Sequence, residues 1–199
     1  EQKSYKTLYE EERNKNQELE KLANVINDME DATPISCRVI KRSSETWNQT
    51  VTISAGSEQG IRVNMLVQTA EGMVGLITKV QQNTSTVELL TSEDMPNDIA
   101  VKISMEDGTT TEGVIQSYDV ERHEYRMALF DNSAEVAAGQ SVATSGKGGN
   151  YPGGIYVGTV TDVERNDSAI ISTVYVRPVS NMMSFDYCLV IGGGSEEKS

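Results

Sequence analysis

The chain has 199 residues, with 17 Lys+Arg against 30 Asp+Glu and a formal net charge of −13. That length holds one or two small domains and a helical segment but not a large multidomain enzyme, and that charge repels a polyphosphate backbone or an anionic lipid surface, so no nucleic-acid partner is expected. Hydrophobic residues make up 37% and aromatics 6%, with sixteen Gly, a mixture that suits small β-domains with modest cores rather than a disordered polymer.

Residues 1–31 contain no Gly or Pro and are rich in Glu, Lys, Leu, Asn and Gln, which favours helix. Apolar residues recur there at alternating spacings of three and four. Leu8, Leu22 and Met29 fall on one line with Lys15 between them, and Tyr5, Leu19 and Ile26 on the other with Glu12. This is a coiled-coil seam, strong in its second half and weak in its middle. So narrow a stripe does not stabilise a lone helix in water. It needs a partner, either an identical helix or the chain's own globular part. An identical helix makes Tyr5, Leu8, Leu19, Leu22, Ile26 and Met29 the dimerisation residues. The helix is expected to stop near Asp31-Ala32-Thr33-Pro34, because a proline pushes the preceding residue out of the helical region. The chain opens at Glu1 inside this pattern and reads as a piece of something longer. No apolar run approaches the ~18 to 20 residues of a membrane-spanning helix.

From Ile35 onward the period changes to two. Arg38-Val39-Ile40, Thr50-Val51-Thr52-Ile53, Met65-Leu66-Val67-Gln68, Met73 to Val80 and Thr86 to Leu90 are short β-type runs parted by Gly, Ser, Asn and Asp, the texture of an all-β barrel or sandwich. The second half repeats the first. Arg38-Val39-Ile40 aligns with Gly113-Val114-Ile115, and Val67-Gln68-Thr69 with Val142-Ala143-Thr144, at an offset of 75; Val74 to Val80 aligns with Val157 to Val163 at an offset of 83. A glycine-rich insertion at 145–152 takes up the difference, so the chain reads as two tandem copies of one small β-fold. The expected boundaries are a stalk helix at 1–34, a first β-domain at 35–105, a second at 106–191 with a strand free to cross between them, and a disordered tail at 192–199.

Few residues suggest chemistry. With two cysteines, Cys37 and Cys188, no C-x-x-C and a single histidine, a zinc site would have to recruit carboxylates, so neither metal nor cofactor is expected. Two unpaired buried thiols is the favoured state of the cysteines, and a Cys37–Cys188 bridge between neighbouring strands the alternative. The loop Gly146-Lys147-Gly148-Gly149-Asn150-Tyr151-Pro152 lacks the spacing of a phosphate-binding loop and lies between strands. His123, Asp131 and Ser145 occur in the chain order of a chymotrypsin-like triad, but all fall in one copy, whereas that fold draws its base and nucleophile from different barrels. A protease relic is therefore a weak alternative. A sugar-binding module is another, weakened by one Trp and two Phe but not dismissed with eight Tyr.

The glycine and strand pattern is more specific. Ser44-Glu45-Thr46-Trp47, Ile53, Gly56, Gly60-Ile61, Met65, Val67 and Glu71-Gly72-Met73-Val74-Gly75 resemble the first β-domain of the MreC family of bacterial rod shape-determining proteins. Gly139, Val142, Thr144 to Gly149, Tyr151-Pro152-Gly153-Gly154-Ile155, Val157-Gly158-Thr159-Val160 and Val176-Arg177-Pro178 resemble its second. Tyr151 stands where Phe is usual, and Gly139-Gln140 where Gly-Asp is common. The resemblance covers residues 35–191 and implies a mainly β fold, an N-terminal coiled-coil helix followed by two small tandem β-barrels. It further implies a single-pass membrane protein, its span upstream of residue 1, with this region on the extracytoplasmic face. The implied role is a non-enzymatic scaffold of cell-wall elongation that dimerises, assembles further, and connects MreB, MreD and a class B penicillin-binding protein. Gly146, Lys147, Gly148, Gly149, Tyr151 and Pro152, or exposed strand edges, are candidate interaction sites; a peptidoglycan-binding module is the alternative function.

Overall fold

In the computed structural model, residues 2–29, 33–45, 48–93, 98–147, 151–165, 172–179, 182 and 184–192 are described. Thr46, Trp47, Gly148, Gly149 and the expected tail beyond Gly192 lie outside them. Helix α1 (Gln2–Asn27) opens the chain, and twelve strands follow. In chain order these are β1 (Ile35–Glu45), β2 (Asn48–Ile53), β3 (Leu66–Gln68), β4 (Met73–Val80), β5 (Ser85–Leu89), β6 (Ile99–Ser104), β7 (Thr110–Asp119), β8 (Glu124–Leu129), β9 (Ser141–Thr144), β10 (Tyr156–Glu164), β11 (Thr173–Pro178) and β12 (Tyr187–Ile191). The helix ends before the proline signal. Met29 N–H bonds the Ile26 carbonyl at 3.2 Å, tightening the last turn where the chain meets the first barrel.

The strands form two closed six-stranded antiparallel barrels, ordered β1-β12-β3-β4-β5-β2 and β10-β11-β8-β7-β6-β9. The repeat seen in the sequence is a repeat of topology. Strands β1, β3 and β4 occupy in barrel 1 the places that β7, β9 and β10 occupy in barrel 2. Even the bulges correspond: the register shifts between Ile77 and Lys79 on β4 and between Val160 and Asp162 on β10, 83 residues apart. Each bulge bends its strand and sharpens the twist, which lets so short a sheet close.

The expected domain boundaries need correction. Strand β6, placed in the first domain by the sequence reading, pairs with β7 and β9 and belongs to barrel 2. Strand β12, inside the second range, is the crossing strand that the sequence reading left open: it runs between β1 and β3 of barrel 1. Among the described residues no strand precedes β1 to play the part that β6 plays before β7, and β12 returns to fill that place. Closure also corrects the expectation of exposed strand edges: among the described residues, every strand has two neighbours.

Alternating side chains fill the barrels. Val51, Ile53, Val67, Ile77, Val87, Leu89 and Val190 are buried on one face of the first, and Ile99, Val101, Ile115, Tyr125, Met127, Val142 and Val174 in the second. The barrels touch at the β3–β4 turn. Gly72 there has φ +143°, and a Cβ on it would lie 2.4 Å from the Tyr156 carbonyl oxygen and 2.8 Å from Val179 Cγ1. Only glycine lets barrel 1 approach barrel 2 so closely. Gly75 and Gly158 are equivalent positions of the two copies, and a Cβ on either would meet a carbonyl of the adjacent strand at 2.3 or 2.2 Å.

Replacing Leu189, fully buried on the returning strand, by Ala is expected to cost about 2–5 kcal/mol of stability. Leu8→Ala, on the exposed helix, is expected to cost under about 0.5 kcal/mol in the monomer. Urea unfolding of both variants measures the difference.

Candidate functional site

The stalk helix divides into two stretches with different surroundings. In its second half, Glu18, Leu22 and Val25 recur at helical spacing on one face, and Met29 follows just past the helix end. Leu22 is 4% exposed, and Val25, Ile26 and Met29 pack against the barrel core. Glu18 carries the polar part of this contact: its Oε1 accepts the backbone N–H groups of Asp186 and Tyr187, each at 2.9 Å, where the chain enters β12. A carboxylate acceptor makes each such bond stronger than one to a neutral oxygen. Helix, loop and returning strand are thereby joined at one point.

The first half is bare. Tyr5 is 74% exposed, Leu8 55% and Tyr9 70%, and Leu19, beside the anchored face of the second half, is still 42% exposed. The ion pairs Lys6–Glu10 at 4.0 Å and Lys15–Glu12 at 3.6 Å are solvent-exposed and add little stability. Of the six predicted seam residues, Tyr5, Leu8 and Leu19 therefore present apolar surface. Leu22, Ile26 and Met29 already have a partner within their own chain. The docked stripe is rotated from the predicted seam, since it includes Val25 and Glu18, which the heptad pattern passes over.

The described parts of the glycine-rich loop between β9 and β10, residues 145–147 and 151–155, are tied to the barrel. Tyr151 and Ile155 are buried. Thr144 Oγ1 donates to the Pro152 carbonyl at 2.9 Å and accepts the Ile155 N–H at 3.0 Å, while Gly154 N–H bonds the Thr144 carbonyl at 2.8 Å. Burial raises the Tyr151 phenol's pKa, opposed by a hydrogen bond with the Ala100 backbone. Gly146 takes φ +75°, and Lys147 is exposed and pairs with Glu112. Of the predicted interaction loop, Tyr151 is thus a core anchor, Lys147 faces solvent, and Pro152 lines a cleft of about 600 Å³ between the barrels with Met29, Glu71 and Tyr156.

The triad-like residues do not converge. His123 sits in the β7–β8 turn at φ +56° with Nδ1 3.5 Å from the Tyr118 hydroxyl. Asp131 Oδ1 accepts the Ser133 N–H and hydroxyl, which lowers its pKa. Ser145 Oγ accepts the Lys147 N–H at 3.2 Å. Among the described residues no three His, Cys, Asp or Glu side chains are placed to hold a metal. Beside this turn Arg122 lies 3.8 Å above the Tyr175 ring and pairs with Glu124 and Asp162, a compensated surface cluster.

Residues 39–192 match the family model described as rod shape-determining protein MreC, barrel core. The chain belongs to the MreC family. A cell shape-determining protein MreC from Listeria monocytogenes is 30% identical over 181 residues, covering 91% of this chain and 61% of the relative. The chain thus spans about three fifths of that relative's length. A solved structure described as the major periplasmic domain from the cell shape-determining filament MreC is 29% identical with a TM-score of 0.76, covering 83% of this chain and 99% of that one. A more distant structure is described as a complex between penicillin-binding protein PBP2 and MreC from Helicobacter pylori. At 14% identity and a TM-score of 0.62, over 82% of this chain and 99% of that one, it shows likeness of fold alone. The MreC-like glycine signature now has a physical meaning here: Gly72 permits the approach of the barrels, and Gly75 and Gly158 permit close strand packing.

Glu18 had no sequence signal as an anchor, because its partners lie 168 and 169 residues away. Glu18→Ala is expected to free the second half of α1 from the barrel at a cost of about 1 kcal/mol or more. Glu18→Gln, which keeps an acceptor oxygen, should lose less. Amide hydrogen exchange at Asp186 and Tyr187, faster in the Ala variant than in the Gln variant, measures this.

Proposed function

We propose that this chain is the extracytoplasmic part of a membrane-anchored, non-enzymatic scaffold that maintains rod cell shape. It self-associates through its N-terminal helix and holds its barrels out to a class B penicillin-binding protein, in a machinery that includes MreD and MreB. The observation that carries this reading is the contrast along α1: its second half is anchored to a closed barrel, and its first displays Tyr5, Leu8 and Tyr9 to solvent, with Leu19 partly exposed in line with them. Exposed apolar residues at heptad spacing are what a second copy of the helix covers, and each fully buried Leu contributes roughly 1.5–3 kcal/mol. The description of a similar structure as the periplasmic domain of a filament supports both the placement outside the cytoplasm and the self-association. The described complex of the Helicobacter pylori relative with PBP2 supports the choice of partner. Pairing two copies also makes any barrel contact bivalent, so weak contacts gain avidity at a membrane.

Two measurements test this. In sedimentation equilibrium the chain is expected to give a dimer mass and the Tyr5→Ser/Leu8→Ser variant a monomer mass; these positions lie clear of the barrel contact, so folding is preserved. Equal masses for the two would remove self-association through the helix. In calorimetric titration with the soluble ectodomain of a class B penicillin-binding protein from the same source, saturable binding is expected. The partner assignment fails if no heat of binding is seen at concentrations where the dimer is intact.

A further inference from the structure

The strands that begin and end barrel 1 set two thiols opposite each other. Cys37 on β1 and Cys188 on β12 are direct partners in the antiparallel register, so both side chains leave the sheet on the same face. Opposed residues in such a pair have Cα atoms about 4.5–5.5 Å apart, inside the range of roughly 4.4–6.8 Å that a disulfide spans. Both thiols are free and buried, and they are the only cysteines of the chain. Burial pushes the Cys37 thiol's pKa up to about 11; it raises that of Cys188 too, with the neighbouring Cys37 adding to the effect. Both sulfurs are therefore protonated and slow to react once the barrel has closed. Their opportunity comes while β12 is docking onto β1, before Leu19, Leu22 and Ile26 of the helix complete the crevice around them.

We propose that Cys37 and Cys188 are a modification site, forming a cross-strand disulfide that staples the returning strand to the first and closes barrel 1 covalently. One cysteine thiolate attacks a donor disulfide, that of oxidised glutathione or of a thiol oxidase, giving a mixed disulfide and expelling half of the donor as thiolate. The second cysteine thiolate then displaces the other half. One S–S bond forms within the chain and two S–H bonds break. The donor's S–S bond breaks, two electrons reduce it to two thiolates, and these take up the two protons that the cysteines release, leaving the donor in its thiol form. The loop so closed contains β2 to β11, the whole of barrel 2 included, and a long loop is where a cross-link most restricts the unfolded chain. Formation of the bond in the cell rests on the extracytoplasmic placement proposed above, where disulfides persist; the following test does not.

The full chain is unfolded in denaturant with a reductant and refolded in a glutathione redox buffer, beside the double variant Cys37→Ala/Cys188→Ala. The expected product is lighter by two hydrogens, takes up no maleimide on denaturation, and yields a linked Cys37–Cys188 peptide in a non-reducing digest. Its thermal midpoint is expected to lie roughly 10 °C above that of the reduced chain, a difference absent from the double variant. A natively refolded chain that still takes up two maleimides would overturn the proposal. So would stable glutathione adducts at either position, or linkage only between chains. None of these results would touch the scaffold reading, which the sedimentation and titration experiments decide separately.

Discussion

The whole molecule depends on pairing β12 between β1 and β3. A sheet edge leaves a row of N–H and C=O groups without partners, and a buried polar group left unpaired is costly. Barrel 2 satisfies this need locally, because β6 precedes β7 in the chain and joins it through a short turn. Among the described residues, what precedes β1 of barrel 1 is helix α1 and not a strand. The barrel's missing strand is supplied from the far end of the chain, which inserts barrel 2 into barrel 1 and gives the two barrels a pair of chain crossings. With the Gly72 contact, this geometry restrains the barrels relative to each other.

The same return fixes the helix. Glu18 binds the backbone at Asp186 and Tyr187, residues that come into position only when β12 has docked. Leu22, Val25, Ile26 and Met29 then cover apolar barrel surface. An amphipathic helix of this length could give its whole stripe to another helix or to its own domain, and here the stripe is divided. The lower half spends its apolar surface within the chain, so the direction of the stalk is set by the barrel and only the upper half remains exposed. The scaffold role proposed above would benefit from that division, since a rigidly attached stalk transmits orientation whereas a flexibly attached one does not.

Much of this was legible in advance. The absence of Gly and Pro up to residue 31 and the heptad spacing marked α1, and the change of period at Ile35 marked the β region. The offsets of 75 and 83 marked two copies, and the structure adds equivalent bulges at Ile77 and Val160. These features are local: propensity, capping and alternation act over a few residues, and a repeat preserves them. The readings that needed correction all concern contacts distant in sequence. The heptad pattern could not tell an identical helix from the chain's own barrel as the partner of Leu22. Tyr151, read as part of a presented loop, is an anchor because Thr144 and Ala100 hold its surroundings. The domain boundary at 105 followed chain order, and which strand crosses between the barrels was left open, because chain order does not say which sheet a strand completes.

By itself, then, the sequence determined which segments are helix and strand, that the β region is duplicated, and which glycine pattern allies it with MreC. Tertiary structure alone decided that β12 closes the first barrel, that Glu18 and Leu22 pin the stalk, and that Cys37 faces Cys188. The reason is physical. Secondary structure answers to neighbours a few residues away, whereas ladder closure and helix docking are settled by which distant groups satisfy unpaired backbone and uncovered apolar surface once the chain is compact.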